Sequence, residues 1–264
     1  MITIDLILLS RHVLRMTEIS NPAKGADFMI RIFIGYDPRE AVAFHVLSHS
    51  IHARASQPTS ITPLILDELG ELMWRDSHPL QTSDFSFSRF LTPFLCDFQG
   101  WALFMDCDML LLEDIAKLWE LREERYAVMC VKHDHNPKED TKFLGSVQSR
   151  YEKKNWSSVM LFNCARCKNL TVDYVNTASG LDLHRFHWLD DEVLIGEIPH
   201  KWNHLVDYDP KIPESEIANL HYTIGGPYFE DYKECGYAEH WVKERNAMLF
   251  AEKPKKKKRD TIKR

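Results

Sequence analysis

Residues 101–115 read WALFMDCDMLLLEDI. Five apolar residues, Trp101–Met105, predict a short buried strand that ends on Asp106, with a second carboxylate, Asp108, one residue further on. Burying an unpaired charge costs on the order of several kcal/mol, so an apolar run that holds two of them needs a compensator. A divalent cation is the leading candidate. Magnesium and manganese take oxygen ligands in near-octahedral geometry and need few of those from protein, while Cys107 between the carboxylates is expected to point into the core.

Outward from this stretch, strands and helices alternate. Before it, Ile30–Ile34 is a strong strand, and Tyr-Asp-Pro-Arg-Glu follows, with Asp37 placed to cap, Pro38 at a first helical position and Glu40 to close a capping box. A helix is predicted over EAVAFHVLSHSIHARA, to about Ala55, then a strand and turn in ITPLILDEL, and helical spacing in DFSFSRFLTPFLCDF despite Pro93. After Asp108 the chain is expected to turn into a helix. YAVMCVK (126–132), VMLFN (159–163) and NLHYT read as strands; KNLTVDYVNTA and DDEVLIGEI read as helices. The alternation predicts an α/β fold, a mostly parallel sheet with helices on both faces and ligands at the carboxyl ends of strands, where Asp37 and Asp106 both fall.

With 264 residues, 44% hydrophobic and 27% charged, the chain suits one large α/β domain. Residues 1–28 read as an N-terminal extension, 29–250 as the domain, and 251–264 as a basic tail. Within that tail KPKKKKRDTIKR (253–264) has eight basic residues and one acidic, hence +7, leaving 25 basic against 38 acidic, −13, in the rest. A solvated terminus is the plain reading of such a run, and contact with an anionic membrane surface the functional one. The acidic body argues against a specific nucleic-acid partner. No apolar stretch approaches the roughly 20 residues of a membrane span, and MITIDLILLSRHVLRM makes a poor signal peptide, so the expected location is cytoplasmic, with peripheral membrane contact left open. The six cysteines are then expected to be reduced. Cys164-Ala-Arg-Cys167 and His184-Arg-Phe-His187 could make a zinc site, but their separation fits no standard spacing, and packing is the better reading.

Taken together, IFIGYDPRE, FSFSRF, ALFMDCDMLLLEDI, NWSSVMLFN, WLDDEVL and LHYTIGGP resemble, in order and spacing from roughly Met29 to Phe229, the nucleotide-sugar glycosyltransferases of the GT-A fold, family 8 above all. The resemblance implies a metal-dependent transferase that moves a sugar from a nucleotide-diphosphate donor, a UDP-sugar foremost, to an acceptor hydroxyl on a glycan, glycolipid or protein, with retention of configuration. It implies that Asp106, Asp108 and His221 hold Mn²⁺ or Mg²⁺, that Asp37, Arg89, Asp106 and Gly226 lie at the donor, and that Asp190 and Asp191 lie beside the reacting sugar. An arginine on an otherwise apolar helix face needs an anion, and for Arg89 a sugar diphosphate or a metal-site aspartate would serve.

The chain departs from the family pattern in three places. Asp191 stands where the family has glutamine, NWSS where it has a phenylalanine-asparagine-alanine-glycine run, and Tyr228-Phe229-Glu230 where it has a phosphate-contacting lysine, with Arg89 or Lys233 as substitutes. Trp156, Trp188, Trp202, Tyr222 and Tyr228 are candidates for an acceptor platform or for core. Two further readings of the aspartates stay open. One makes Asp106 the nucleophile of an aspartate-based phosphohydrolase, although Leu110 stands where that pattern has threonine or valine. The other makes the pair a cap for the next helix, for which Glu113 and Asp114 are better placed. A degenerate relative that binds a nucleotide sugar without turnover is the alternative outside enzymes.

Overall fold

The computed structural model describes residues 28–76, 83–134 and 152–250. In chain order the elements are β1 (Ile30–Gly35), α1 (Ala41–Arg54), β2 (Thr59–Leu64), α2 (Thr92–Leu95), β3 (Trp101–Met105), β4 (Met109–Leu111), α3 (Ile115–Trp119) and β5 (Val128–Cys130). They continue with β6 (Val159–Asn163), α4 (Val172–Thr177), α5 (Gly180–His184), β7 (Ile195–Glu197), β8 (His204–Leu205), β9 (Asn219–His221) and α6 (Ala238–Leu249). Short 3₁₀ turns join many of them. Residues 1–27 and the basic run 253–264 lie outside the described residues.

Six strands form the main sheet in the order β2-β1-β3-β6-β5-β7. Pairs β2–β1, β1–β3 and β5–β7 are parallel, whereas β6 runs antiparallel to both neighbours, so one reversed strand interrupts an otherwise parallel sheet. The central strands β3 and β6 are buried along their length and apolar except for Asn163, as strands covered on both faces must be. Pro63 is tolerated because β2 is an edge strand. Helix α1 buries Ala43, Phe44, Val46, Leu47, Ser50 and Ile51, the spacing of one helical face, and Ser50 Oγ accepts the Leu111 N–H.

Two helical expectations give way to strands. Met109–Leu111, expected to lead into a helix, is β4, because it pairs with β9 in a second sheet ordered β4-β9-β8. The helix then begins at Ile115 with Asp114 as its cap, accepting the Ala116 N–H at 2.9 Å, so neither Asp106 nor Asp108 is its capping residue. DDEVLIGEI, expected to be helical, is a three-residue 3₁₀ turn followed by β7. Tertiary pairing wins there: β7 lies along β5, and Gly196 leaves room for Tyr126 and Met129, which a Cβ would meet at 2.5 and 2.7 Å. The segment 84–98 is helical only over a 3₁₀ turn, Ser88–Leu91, and α2.

The cysteines divide as packing demands. Cys164 and Cys167 are buried, with the Cys167 thiol donating to the Ala127 and Asn163 carbonyls, while His184 bonds Ser157 and His187 bonds Asp182. These pairs make separate contacts, and no disulfide links the six cysteines. Among the described residues no helix is long and apolar enough to cross a membrane.

Candidate functional site

Asp106 follows the last residue of β3, and strand pairing brings the third member of the group to it. In the β4–β9 ladder Met109 lies opposite His221, and the Tyr222 N–H donates to the Asp108 carbonyl at 2.8 Å. The result is a cluster of Asp106, Asp108 and His221, all buried, with one potential ligand atom from each lying within 4.8 Å of the others.

Arg89 is buried between the Phe85 and Phe104 rings, 5.2 and 5.1 Å away, and its Nη1 lies 2.8 Å from Asp106 Oδ1. Of the two anions considered for this arginine, the structure supplies the aspartate. Burial pushes the Asp106 carboxyl up to about 6; Arg89 pulls it down, and the Asp108 charge pushes it up again. His221 adds a second, weaker downward pull on the same carboxyl.

Hydrogen bonding fixes the histidine. Asn203 Nδ2 donates to the Asn155 carbonyl at 3.3 Å, so its Oδ1 is the atom facing His221, at 2.8 Å from Nδ1. With the amide in that orientation His221 donates from Nδ1, and its Nε2 faces Asp108 Oδ1 across 3.3 Å. A proton or a cation can bridge that gap between nitrogen and carboxylate oxygen. Two hard carboxylates and one imidazole suit manganese or magnesium, so the residues present fit such an ion.

The NWSS run proves to be the scaffold of the group. Asn155 adopts the left-handed conformation, φ 65°, and offers its carbonyl to Asn203. The Ser157 carbonyl accepts from Arg89 Nη1 at 2.8 Å, and the Ser158 carbonyl accepts the Asp106 N–H at 3.0 Å. Asn203, Asn155, Ser157 and Ser158 were not singled out as site residues by sequence. An asparagine beside a late aromatic-rich turn gives no local signal, and Asn203 reaches His221 only through β8–β9 pairing.

The other expected residues divide. Asp37 is fully buried, and its carboxylate accepts from Arg39 N and Nε and from Asp84 N. Burial raises its carboxyl, but the Arg39 bonds outweigh that and hold it below the usual range. Its capping role is therefore present, and its oxygens are already engaged. Glu40 turns inward, where Oε1 accepts from the Tyr228 hydroxyl at 2.8 Å. Gly226 is buried under that tyrosine, and a Cβ there would lie 2.2 Å from its ring. Lys233, a candidate substitute for the missing lysine, donates to Glu230 at 2.6 Å. Asp190 and Asp191 are exposed in the loop before β7, and Asp191 caps its 3₁₀ turn by accepting the Val193 N–H. Of the candidate platform aromatics, Trp188, Trp202 and Tyr222 are core, while Trp156 and Tyr228 are half-buried.

Over 254 residues the chain is 47% identical to Protein CDI of Arabidopsis thaliana, covering 94% of this chain and 96% of that protein. The chain belongs to the family of Protein CDI. No protein-family model matches the sequence. Among solved structures, the bifunctional glycosyltransferase WbbM aligns at TM-score 0.56 with 12% identity over 83% of this chain. GlyE of Streptococcus pneumoniae TIGR4 aligns at 0.56 with 14% identity over 85%, and the galactosyltransferase LgtC at 0.53 with 12% identity over 86%. The chain spans 50% of WbbM, 63% of GlyE and 98% of LgtC. This CDI-family chain therefore has the GT-A fold of glycosyltransferases.

Proposed function

We propose that residues 29–250 form a metal-dependent glycosyltransferase of the family 8 type, which transfers a sugar from a UDP-sugar to an acceptor hydroxyl with retention of configuration. The observation that carries this reading is the buried Asp106–Asp108–His221 group at the carboxyl end of β3, with its histidine Nε2 and carboxylates converging on one point. Asp106, Asp108 and His221 would hold Mn²⁺ or Mg²⁺, which when bound neutralises charge on a diphosphate leaving group.

The chain's own residues do the positioning. Arg89 holds Asp106 in place and offsets its charge, and Asn203 keeps His221 Nε2 directed at Asp108. The loop that carries Asp190 and Asp191 is tethered near the scaffold by Lys153, which donates to the Arg185 carbonyl at 2.9 Å and pairs with Glu192. Since Asp191 is engaged as a cap, Asp190 is the carboxylate left to turn toward a sugar ring and stabilise positive charge at its anomeric carbon. Half-buried Trp156 offers an apolar ring face for stacking.

A second reading, nucleotide-sugar binding without turnover, draws on two contacts. Tyr228 is committed to Glu40, and Lys233 to Glu230, where the family pattern has a phosphate-contacting lysine. Calorimetry of UDP with and without Mn²⁺, on the wild type and Asp108→Ala, tests the site that both readings share. Manganese-dependent UDP binding lost in the variant supports it, and equal binding by the two proteins refutes it. Screening UDP-sugars for transfer then separates the readings, and phosphate release from an aryl phosphate would mark the phosphohydrolase instead.

A further inference from the structure

A second convergence of ligand-type side chains includes the first residue of the turn that carries Asn203. His133, just beyond β5, His200, at the start of that turn, and Asp209, after β8, bring one ligand atom each to within 4.8 Å of one another. His200 Nε2 lies 3.4 Å from Asp209 Oδ2, and the His133 and His200 rings are 4.9 Å apart, edge to face. Asp209 is oriented by the Leu205 N–H, which donates to its Oδ2 at 2.7 Å, and buried His204 backs it with Nδ1 at 3.7 Å.

We infer that His133, His200 and Asp209 form a zinc-binding site. Two imidazoles and one carboxylate are the donor set of three-ligand zinc centres, in which water takes the fourth position. Ligands about 2.1 Å from a tetrahedral zinc lie about 3.4 Å from one another. The His200–Asp209 separation already has that length. An ion pair needs one imidazole per carboxylate, whereas here two converge on Asp209 and a third stands behind it. His200 is 53% exposed along its side chain, so an ion has a route in from solvent.

The nitrogen-rich donor set separates this site from the oxygen-rich group around Asp106. The two are nonetheless joined through one short turn, His200–Asn203: His200 belongs to the second site, and Asn203 holds His221 of the first. On the other flank, the His133 carbonyl accepts from Trp156 Nε1 at 2.9 Å, beside Asn155. Zinc bound there would brace both segments that orient His221. The assignment stands whether or not the Asp106 group supports sugar transfer.

The test is zinc titration by calorimetry of the full chain stripped of metal, in an Asp108→Ala background that disables the first group. That protein is expected to bind one zinc. Adding His200→Ala should weaken binding on the order of 100-fold or more, since loss of even an outer-sphere partner typically costs 10–100-fold. Because His200 is exposed, the double variant is expected to keep a cooperative melt. Equal zinc affinity in the single and double variants, or no zinc uptake by a cooperatively melting Asp108→Ala protein, would overturn the assignment.

Discussion

Asp108→Asn is the most informative single change in the metal-free protein. Ligand oxygens of Asp106 and Asp108 lie within 4.8 Å, and two unit charges at that distance repel by about 3 kcal/mol at an effective dielectric of about 20. Burial and this repulsion together hold the Asp106 carboxyl at about 6, against 3.8 for the ordinary group, a cost of the same order. Asparagine removes the repulsion, keeps the Arg89–Asp106 pair and leaves an amide in place of the carboxylate facing His221 Nε2. The expected result is a variant more stable than wild type at neutral pH by about 1 kcal/mol, the share left once burial, the larger cause, is set aside, or about 2–4 °C in Tm for a domain of this size. The gap should depend on pH in a defined direction. The folded Asp106 carboxyl titrates above its unfolded value, so its cost is absent below about pH 4, grows as pH rises, and is complete above about pH 6. Melts of the two EDTA-treated proteins between pH 3.5 and 7.5, on the order of the window just derived, measure that gap. Added Mn²⁺ should raise the wild-type Tm alone, by about 2.7 kcal/mol of stabilisation at a hundredfold excess over Kd. A variant less stable than wild type in EDTA would show the carboxylate to be a structural acceptor and would refute the reasoning.

Asn203→Leu should leave a cooperative melt and lower Mn²⁺ affinity about 10–100-fold by calorimetry, because the His221 tautomer is no longer fixed. In α6, Glu244 joins Arg54 and His49 of α1 at 2.7 Å each. Burial raises the Glu244 carboxyl, but those partners hold it below 4.5. Its contribution is thus present above about pH 4.5 and lost as pH falls through the depressed value. Glu244→Gln should therefore cost about 2 kcal/mol at pH 7 and progressively less in acid, read from urea titrations. Gly226→Ala must displace the Tyr228 ring and loosen its bond to Glu40, lowering stability by about 1–3 kcal/mol in a thermal melt.

The elements that could be read from sequence were those whose pattern is local. Trp101–Met105 and Val159–Asn163 are strands at the expected bounds, because an unbroken apolar run between polar ends has few other uses. The D-x-D announced itself by chemistry: two carboxylates in an apolar run stand out wherever they occur. What escaped was long-range. Met109–Leu111 has the composition of a helix start and becomes a strand only because Asn219–His221 arrives beside it. Ile195–Glu197 is a strand only through β5. Asn203 and the His133–His200–Asp209 cluster could not be found by spacing, since Asn203 meets His221 through strand pairing and His133 is remote from His200 in the chain. The C-x-x-C and H-x-x-H pairs illustrate the converse: their short spacings were noticeable, and the fold sends them to separate contacts.

The register that sets His221 opposite Met109 also orders events in time. Asp108 and His221 are separated by roughly a hundred residues, so closing that loop carries an entropy cost that adjacent β1 and β2 do not face. A chain emerging from the ribosome holds its acidic pair long before it holds the imidazole. Since side chains alternate along a strand, a slip of one residue would turn His221 to the opposite face. Capture of the proposed ion would then be a checkpoint on maturation, available only to a molecule whose last strand has docked in its proper place.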